Sequence, residues 1–325
     1  MSKAIGLFSG GLDSILAVRV LTDQDIEVLG VTFVTPFFGS ERAEAASRML
    51  NIPLRIVDIS EEHLAMVKAP PHGYGKTMNP CIDCHALMLK RAGEIMEAEG
   101  YDFLFTGEVL NERPMSQNRK ALEVVAAASG YPDVIVRPLS AQLLKETKVE
   151  REGLVDRCRL LALSGRTRKP QIALAQTFGI SDYPTPAGGC LLTEKQFSLR
   201  LRDLFDHNAD SDVRDVSLLT LGRHFRLDAR TKLVCGRNRD ENLQLESLAG
   251  PDDLLLSAQD VPGPTAVLVG DRSELNVKLG ASLVVRYADV PSGQVGKVRL
   301  HGDPSQRIIA VRGATQEQID TLLIR

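Results

Sequence analysis

No stretch of this 325-residue chain approaches the roughly 18 uninterrupted apolar residues of a membrane helix, which excludes a helical membrane span. An excess of charge is also missing. The 39 basic and 42 acidic side chains leave −3, so any nucleic-acid surface has to be a local patch. Cysteine is scarce and odd in number, five residues at positions 81, 84, 158, 190 and 235. That count argues against a disulfide framework and for metal binding or catalysis. There is no internal repeat and no low-complexity tract. Met1-Ser2-Lys3 runs straight into an apolar strand with no signal-peptide pattern, so a cytoplasmic location with reduced thiols is expected.

What remains is an ordinary globular composition, 43% hydrophobic and 25% charged, long enough for about two domains. Short apolar runs at 4–8, 27–34, 54–57, 103–105 and 134–136 alternate with helical spacing at 13–21, 41–50, 85–99 and 120–128. That alternation predicts an α/β domain, a doubly wound parallel sheet with helices on both faces. Residues 69–80 hold three prolines and no periodicity, which marks a functional loop. After a helix at 195–205, the polar stretch 207–212 marks a boundary, giving domains 1–207 and 208–325. The second half, with short strands at 217–221, 232–235, 266–269, 298–300 and 308–311, reads as a smaller α+β domain.

The first strand ends in Ser9-Gly10-Gly11-Leu12-Asp13-Ser14 and a helix follows. A helix N-terminus offers free backbone N–H groups and a positive dipole end, and glycines let a phosphate approach the backbone. Ser9 and Ser14 add hydroxyls. Asp13 is placed to organise a magnesium–pyrophosphate complex. The same residue types also cap helices. The Gly-Lys-Ser/Thr of a nucleotidase P-loop is absent, so cleavage to ADP is not indicated.

Asn79-Pro80-Cys81-Ile82-Asp83-Cys84 opens the next helix, and Pro186-Ala187-Gly188-Gly189-Cys190 follows far downstream. Three such thiolates suit zinc with a fourth ligand, for which His72 or His85 would serve, or an iron–sulfur cluster with one iron left open. Cys158 and Cys235 read as structural. His85 also completes a Cys-x-x-Cys-His string of the haem-attachment type, which the expected location argues against.

The string 9–14 directly after the first strand resembles the PP-loop of ATP pyrophosphatases. Joined to Asn-Pro-Cys-x-x-Cys and Gly-Gly-Cys, it resembles the tRNA thiolation enzymes, that is, the 2-thiouridine and 4-thiouridine synthases and relatives with a three-cysteine 4Fe–4S cluster. Thr77-Met78-Asn79-Pro80 is similar to the loop before the first active cysteine of 2-thiouridine synthases. The resemblance covers about residues 1–205, without the THUMP or rhodanese-like regions found in some members. It implies that ATP and Mg2+ bind at Ser9, Gly10, Gly11, Asp13 and Ser14, with Phe33, Thr106 and Gly107 bordering the nucleotide. It implies adenylation of a uridine carbonyl, with release of AMP and pyrophosphate. Asp13, Cys81, Cys84 and Cys190 would be catalytic, and the three cysteines would hold a 4Fe–4S cluster. Zinc, or no metal and a two-cysteine persulfide, are the alternatives. The partners implied are tRNA and a sulfur donor, either sulfide or a cysteine desulfurase. A 2-thio or 4-thio product and a monomer or homodimer remain open. An amide-forming PP-loop synthetase, or an RNA-binding factor with a vestigial loop, are the rival readings.

Residues 145–169 hold eight basic and four acidic side chains, a local +4, and Arg166, Arg168 and Lys169 concentrate it. Such patches hold phosphates. In the second half, Leu221-Gly222-Arg223-His224-Phe225-Arg226-Leu227 and Gly236-Arg237-Asn238-Arg239 are similar to a module of the NFACT RNA-binding type, over about 210–325. Arg223 and Arg237, with His224, Arg226 and Arg239, are the RNA-binding residues this implies.

Overall fold

The computed structural model describes residues 1–184, 189–301 and 307–325, in two compact units, Met1–Thr193 and Glu194–Arg325. The first unit runs β1 (Lys3–Leu7), α1 (Leu12–Thr22), β2 (Glu27–Val34), α2 (Glu41–Leu50), β3 (Leu54–Asp58) and α3 (Ser60–Lys68). It continues with α4 (Cys81–Glu99), β4 (Phe103–Thr106), α5 (Arg119–Ser129), β5 (Ile135–Val136), α6 (Lys148–Arg151) and α7 (Lys169–Thr177). Its five strands are parallel in the order β3-β2-β1-β4-β5. This is the doubly wound α/β sheet expected from the alternation.

Both faces of the sheet are buried, which is why the strands read as continuous apolar runs. Ala4 of β1 and Phe103 and Phe105 of β4 face one core with α1. Ile5, Leu29, Val31, Phe33 and Leu104 face the other with α4 and α5. Helix α1 is apolar almost all round, and each fully buried Ile or Leu there contributes roughly 1.5–3 kcal/mol. The order of strands reverses beside β1: chain arriving from β1 turns toward one face and chain leaving β4 toward the other. The crevice at the carboxyl ends of β1 and β4 is therefore where a ligand fits.

The second unit runs α8 (Lys195–His207), α9 (Val213–Leu218), β6 (Arg223–Asp228), β7 (Thr231–Cys235), α10 (Arg239–Leu248) and β8 (Leu254–Gln259). Then come β9 (Thr265–Val269), α11 (Glu274–Arg286), β10 (Val295–His301), β11 (Ile308–Arg312) and α12 (Gln316–Leu322). Its six strands are antiparallel in the order β11-β10-β8-β9-β7-β6. Leu233 and Cys235 face α11, while Val234 and Val267 face Leu218 and Leu245 on the other side. Residues 217–221, expected as a strand, instead close a helix. Asp212 and Asp215 form a reciprocal capping box that starts α9 and commits the chain to helical geometry.

Candidate functional site

The loop after β1 is clamped on two sides. Gly10 takes φ +71°, and a Cβ there would lie 2.2 Å from the carbonyl oxygen of Arg42 at the start of α2. A Cβ on Gly107, just past β4, would lie 2.6 Å from the backbone of Asp13 and Ser14. Only glycine fits at either place. Ser14 Oγ donates to the Gly11 carbonyl at 2.8 Å, and the Gly11 N–H donates to Ser9 Oγ at 3.4 Å.

Asp13 stands in the first turn of α1, and its Oδ1 is buried without a hydrogen-bond partner. Burial raises its carboxyl above the usual range, while Arg168 and Arg113 pull it down. A half-buried carboxylate oxygen with no partner, at a helix N-terminus, is a fitting place for a divalent cation carrying phosphates. Arg168 was expected in an RNA-binding patch. It stands at the N-cap position of α7, 3.8 Å from Glu112, and its charge lowers the Asp13 carboxyl. Arg166 and Lys169 are exposed.

Thr106 ends β4, buried, and its hydroxyl donates to Glu108 at 2.9 Å. Burial pushes the Glu108 carboxyl up, but Arg137 and His85 outweigh it and carry it down to about 2. Phe33 is 3% exposed in the core below the strand ends.

Helix α4 begins at Cys81, four residues before the spacing predicts. Cys81 and Cys84 therefore share one helical face, three residues apart. Cys190 approaches them from the other end of the unit. Cys84 is pushed well up by burial, with Cys190 and then Cys81 adding to the shift, and burial holds Cys190 at about 11. The two segments are tied together. Thr77 Oγ1 lies 2.7 Å from the Leu192 carbonyl and 2.8 Å from Asn79 Oδ1, and Asn79 Nδ2 donates to Cys81 Sγ at 3.2 Å. Leu191 N–H donates to the Phe37 carbonyl at 3.0 Å. Pro186, Ala187 and Gly188 lie outside the described residues.

The histidines weighed as a fourth zinc ligand are committed elsewhere. His72 Nδ1 sits 2.6 Å from Asp83, and His85 Nδ1 sits 3.1 Å from Glu108. Among the described residues, no group of three or more His, Cys, Asp or Glu side chains is arranged to hold a metal ion. The histidine nearest the thiols is one the sequence did not single out. His63 of α3 is fully buried against the Phe37 and Phe38 rings, with Nε2 3.2 Å from Cys84 Sγ. Burial lowers its pKa to about 4. Arg113 was missed as well. Its charge lowers both the Asp13 carboxyl and the Cys190 thiol. Its one signal in the sequence was its place just after the β4 carboxyl end.

In the second unit, His224 is fully buried with Nε2 2.7 Å from the Leu221 carbonyl, and Arg226 is held by both oxygens of Asp203 at 3.1 and 2.6 Å. Neither is available to a phosphate backbone. Arg237 is held by Glu241, Arg223 stacks 4.4 Å above the Tyr287 ring, and Arg239 is exposed. Cys235 is buried, its thiol pushed to about 12 by burial, whereas Cys158 is exposed on a short turn.

Residues 222–323 match the NFACT protein RNA binding domain. The chain is 24% identical, over 338 aligned positions, to the tRNA-specific 2-thiouridylase MnmA of Acidothermus cellulolyticus, with 96% of this chain and 88% of the relative covered. It is 37% identical over 114 residues to the protein of the same name from Syntrophotalea carbinolica, covering 30% of this chain and 32% of the relative. It is 32% identical over 146 residues to the probable tRNA sulfurtransferase of Anoxybacillus flavithermus, covering 42% and 35%. The chain thus spans most of the first relative and about a third of each of the others.

Proposed function

We propose that this chain, a PP-loop relative of the tRNA-thiolating enzymes with an NFACT-type RNA-binding domain, is an ATP-dependent tRNA sulfurtransferase. The observation that carries the reading is the loop Ser9–Ser14 at the head of α1, closed by Gly10 and Gly107, in the same unit as the thiols of Cys81, Cys84 and Cys190. A uridine carbonyl oxygen attacks the α-phosphorus of ATP, and pyrophosphate leaves. A sulfide held at Cys81, Cys84 and Cys190 then attacks the carbon, the C–O bond breaks, and AMP departs with the former carbonyl oxygen.

The loop N–H groups, Ser9 and Ser14 hold the phosphates. Asp13 would gather magnesium, which supplies charge neutralisation on the pyrophosphate. Arg113 and Arg168 add fixed positive charge where the leaving group develops negative charge. Thr106 and Gly107 border the nucleotide, and Phe33 backs the place proposed for its base. His72 and His85 are already paired, and His63 is the histidine beside the thiols. A 4Fe–4S cluster held there by Cys81, Cys84 and Cys190 would supply an open iron for sulfide.

Turnover with α-labelled ATP and tRNA is expected to give AMP and pyrophosphate together with a thiolated uridine, read by mass spectrometry of digested nucleosides. ADP and phosphate as the main products would refute the reading. The RNA contacts are testable separately, by measuring tRNA affinity against salt. Arg166→Ala/Lys169→Ala should flatten the log–log slope by about two, roughly 0.9 per phosphate contact. Arg223→Ala/Arg239→Ala should do the same if the NFACT-type domain grips the backbone. Arg237→Ala should change it least, since Glu241 already neutralises that side chain.

A further inference from the structure

The second unit contains a cavity of about 250 Å³ between the sheet and helices α8 and α9. Its walls include Leu204, Leu218 and Val269 with the polar side chains of His207, Asp215 and Arg226, and the sheet contributes Lys232 beside Val234. On β7, Leu233 and Cys235 face α11, so Lys232 and Val234 face the helices. An aliphatic residue is the ordinary choice there. Lys232 is instead only 7% exposed, and its Nζ is buried with no hydrogen-bond partner.

The nearby carboxylates do not answer it. Asp203 is spent on Arg226 and on His207, which lies 3.6 Å away. Asp215 accepts from Asn208 and from the Asp212 backbone and lies 3.5 Å from Arg214. Arg230, also on the cavity, forms no side-chain ion pair among the described residues. A buried, unpaired ammonium is costly and persists where something compensates it. Burial has pulled the Lys232 amine down to about 7, with Asp203 opposing that and Arg226 reinforcing it.

We propose that this cavity binds a phosphate group, held by Lys232 and Arg230 against an apolar wall. A buried amine with no hydrogen-bond partner, beside the Arg230 guanidinium, suits an anion, whose binding would favour the charged form. The volume lies below the roughly 300–1,000 Å³ of sites for drug-sized ligands, which suits a phosphoryl group and not a whole nucleotide. The group comes either from the phosphorylated 5′ end of an RNA or from free phosphate. The inference does not rest on the sulfurtransferase reading, and its test uses neither ATP nor thiolation.

The test measures thermal unfolding of the full chain in inorganic phosphate against chloride at equal ionic strength. Ser9→Ala/Ser14→Ala is the common background, so that phosphate at the β1 loop does not mask the effect. With Lys232 present, Tm should rise by about 3 °C at tenfold excess over Kd. Lys232→Met in that background should lose the rise. It keeps the aliphatic stem and removes a buried charge, so it should fold at least as stably as its parent. Arg230→Ala should reduce the rise. An equal rise in the Lys232→Met protein overturns the proposal. RNA with and without its 5′ phosphate separates the sources. Where the RNA end is the ligand, removing that phosphate should weaken binding about tenfold in the Lys232 protein and not in Lys232→Met. Where free phosphate is the ligand, the two RNAs should bind alike while the Tm response to inorganic phosphate persists.

Discussion

Asp13→Asn should lower the formation of AMP and pyrophosphate by about a thousandfold, the scale lost with one preorganised electrostatic group, and leave Tm within a few degrees of wild type. The two halves of this expectation have different causes. Oδ1 is buried with no partner, and burial already disfavours its charge. In the free protein the carboxylate is therefore an expense to the fold, and an amide of the same shape relieves it. The charge matters once magnesium and pyrophosphate are present, and an amide gives a cation far less. Product assays and a melting curve on the same preparation check both halves. Near-normal turnover in Asp13→Asn would remove the loop as the ATP site.

Changing Cys81, Cys84 or Cys190 to Ser should each abolish the thiolated nucleoside. The release of pyrophosphate in a single turnover with tRNA should survive, because activation and sulfur delivery use different side chains. Protein purified without oxygen should contain iron and acid-labile sulfide in about equal amounts, and each of these variants should lose both. Cys158→Ser should keep both, since that thiol is exposed on a turn apart from the group. Cys235→Ser should also keep them but melt earlier, because a hydroxyl replaces a fully buried thiol in the core. Stoichiometric zinc without sulfide would overturn the cluster proposal.

The parts legible in the sequence were those encoded locally. The run from β1 into the string 9–14 is contiguous, and the expected strand at 27–34 and helix at 41–50 coincide with β2 and α2. Period and end signals suffice there. The second unit was read less well. Strand β6 went unread because Arg223, His224 and Arg226 make it look polar, yet as the edge of its sheet it tolerates such residues. The short apolar run at 217–221 fits strand or helix equally by periodicity, and the capping box decided it. What no local pattern carries is the direction of a charge across the fold. Arg168 read as part of a basic run, but its place at the head of α7 turns it to Asp13. His63 is an isolated histidine on a short helix, and only the packing of α3 on α4 brings it to Cys84.

The bonds from Thr77 to Leu192 and to Asn79 hold the segments of Cys190 and Cys81 side by side through ordinary polar contacts. Small zinc domains gain their fold from the metal itself and are unfolded without it. Here the segments are tied by their own polar contacts, so they should keep their places whether or not a metal group is bound. Treatment with a chelator should then leave the melting curve of the chain close to that of the untreated protein.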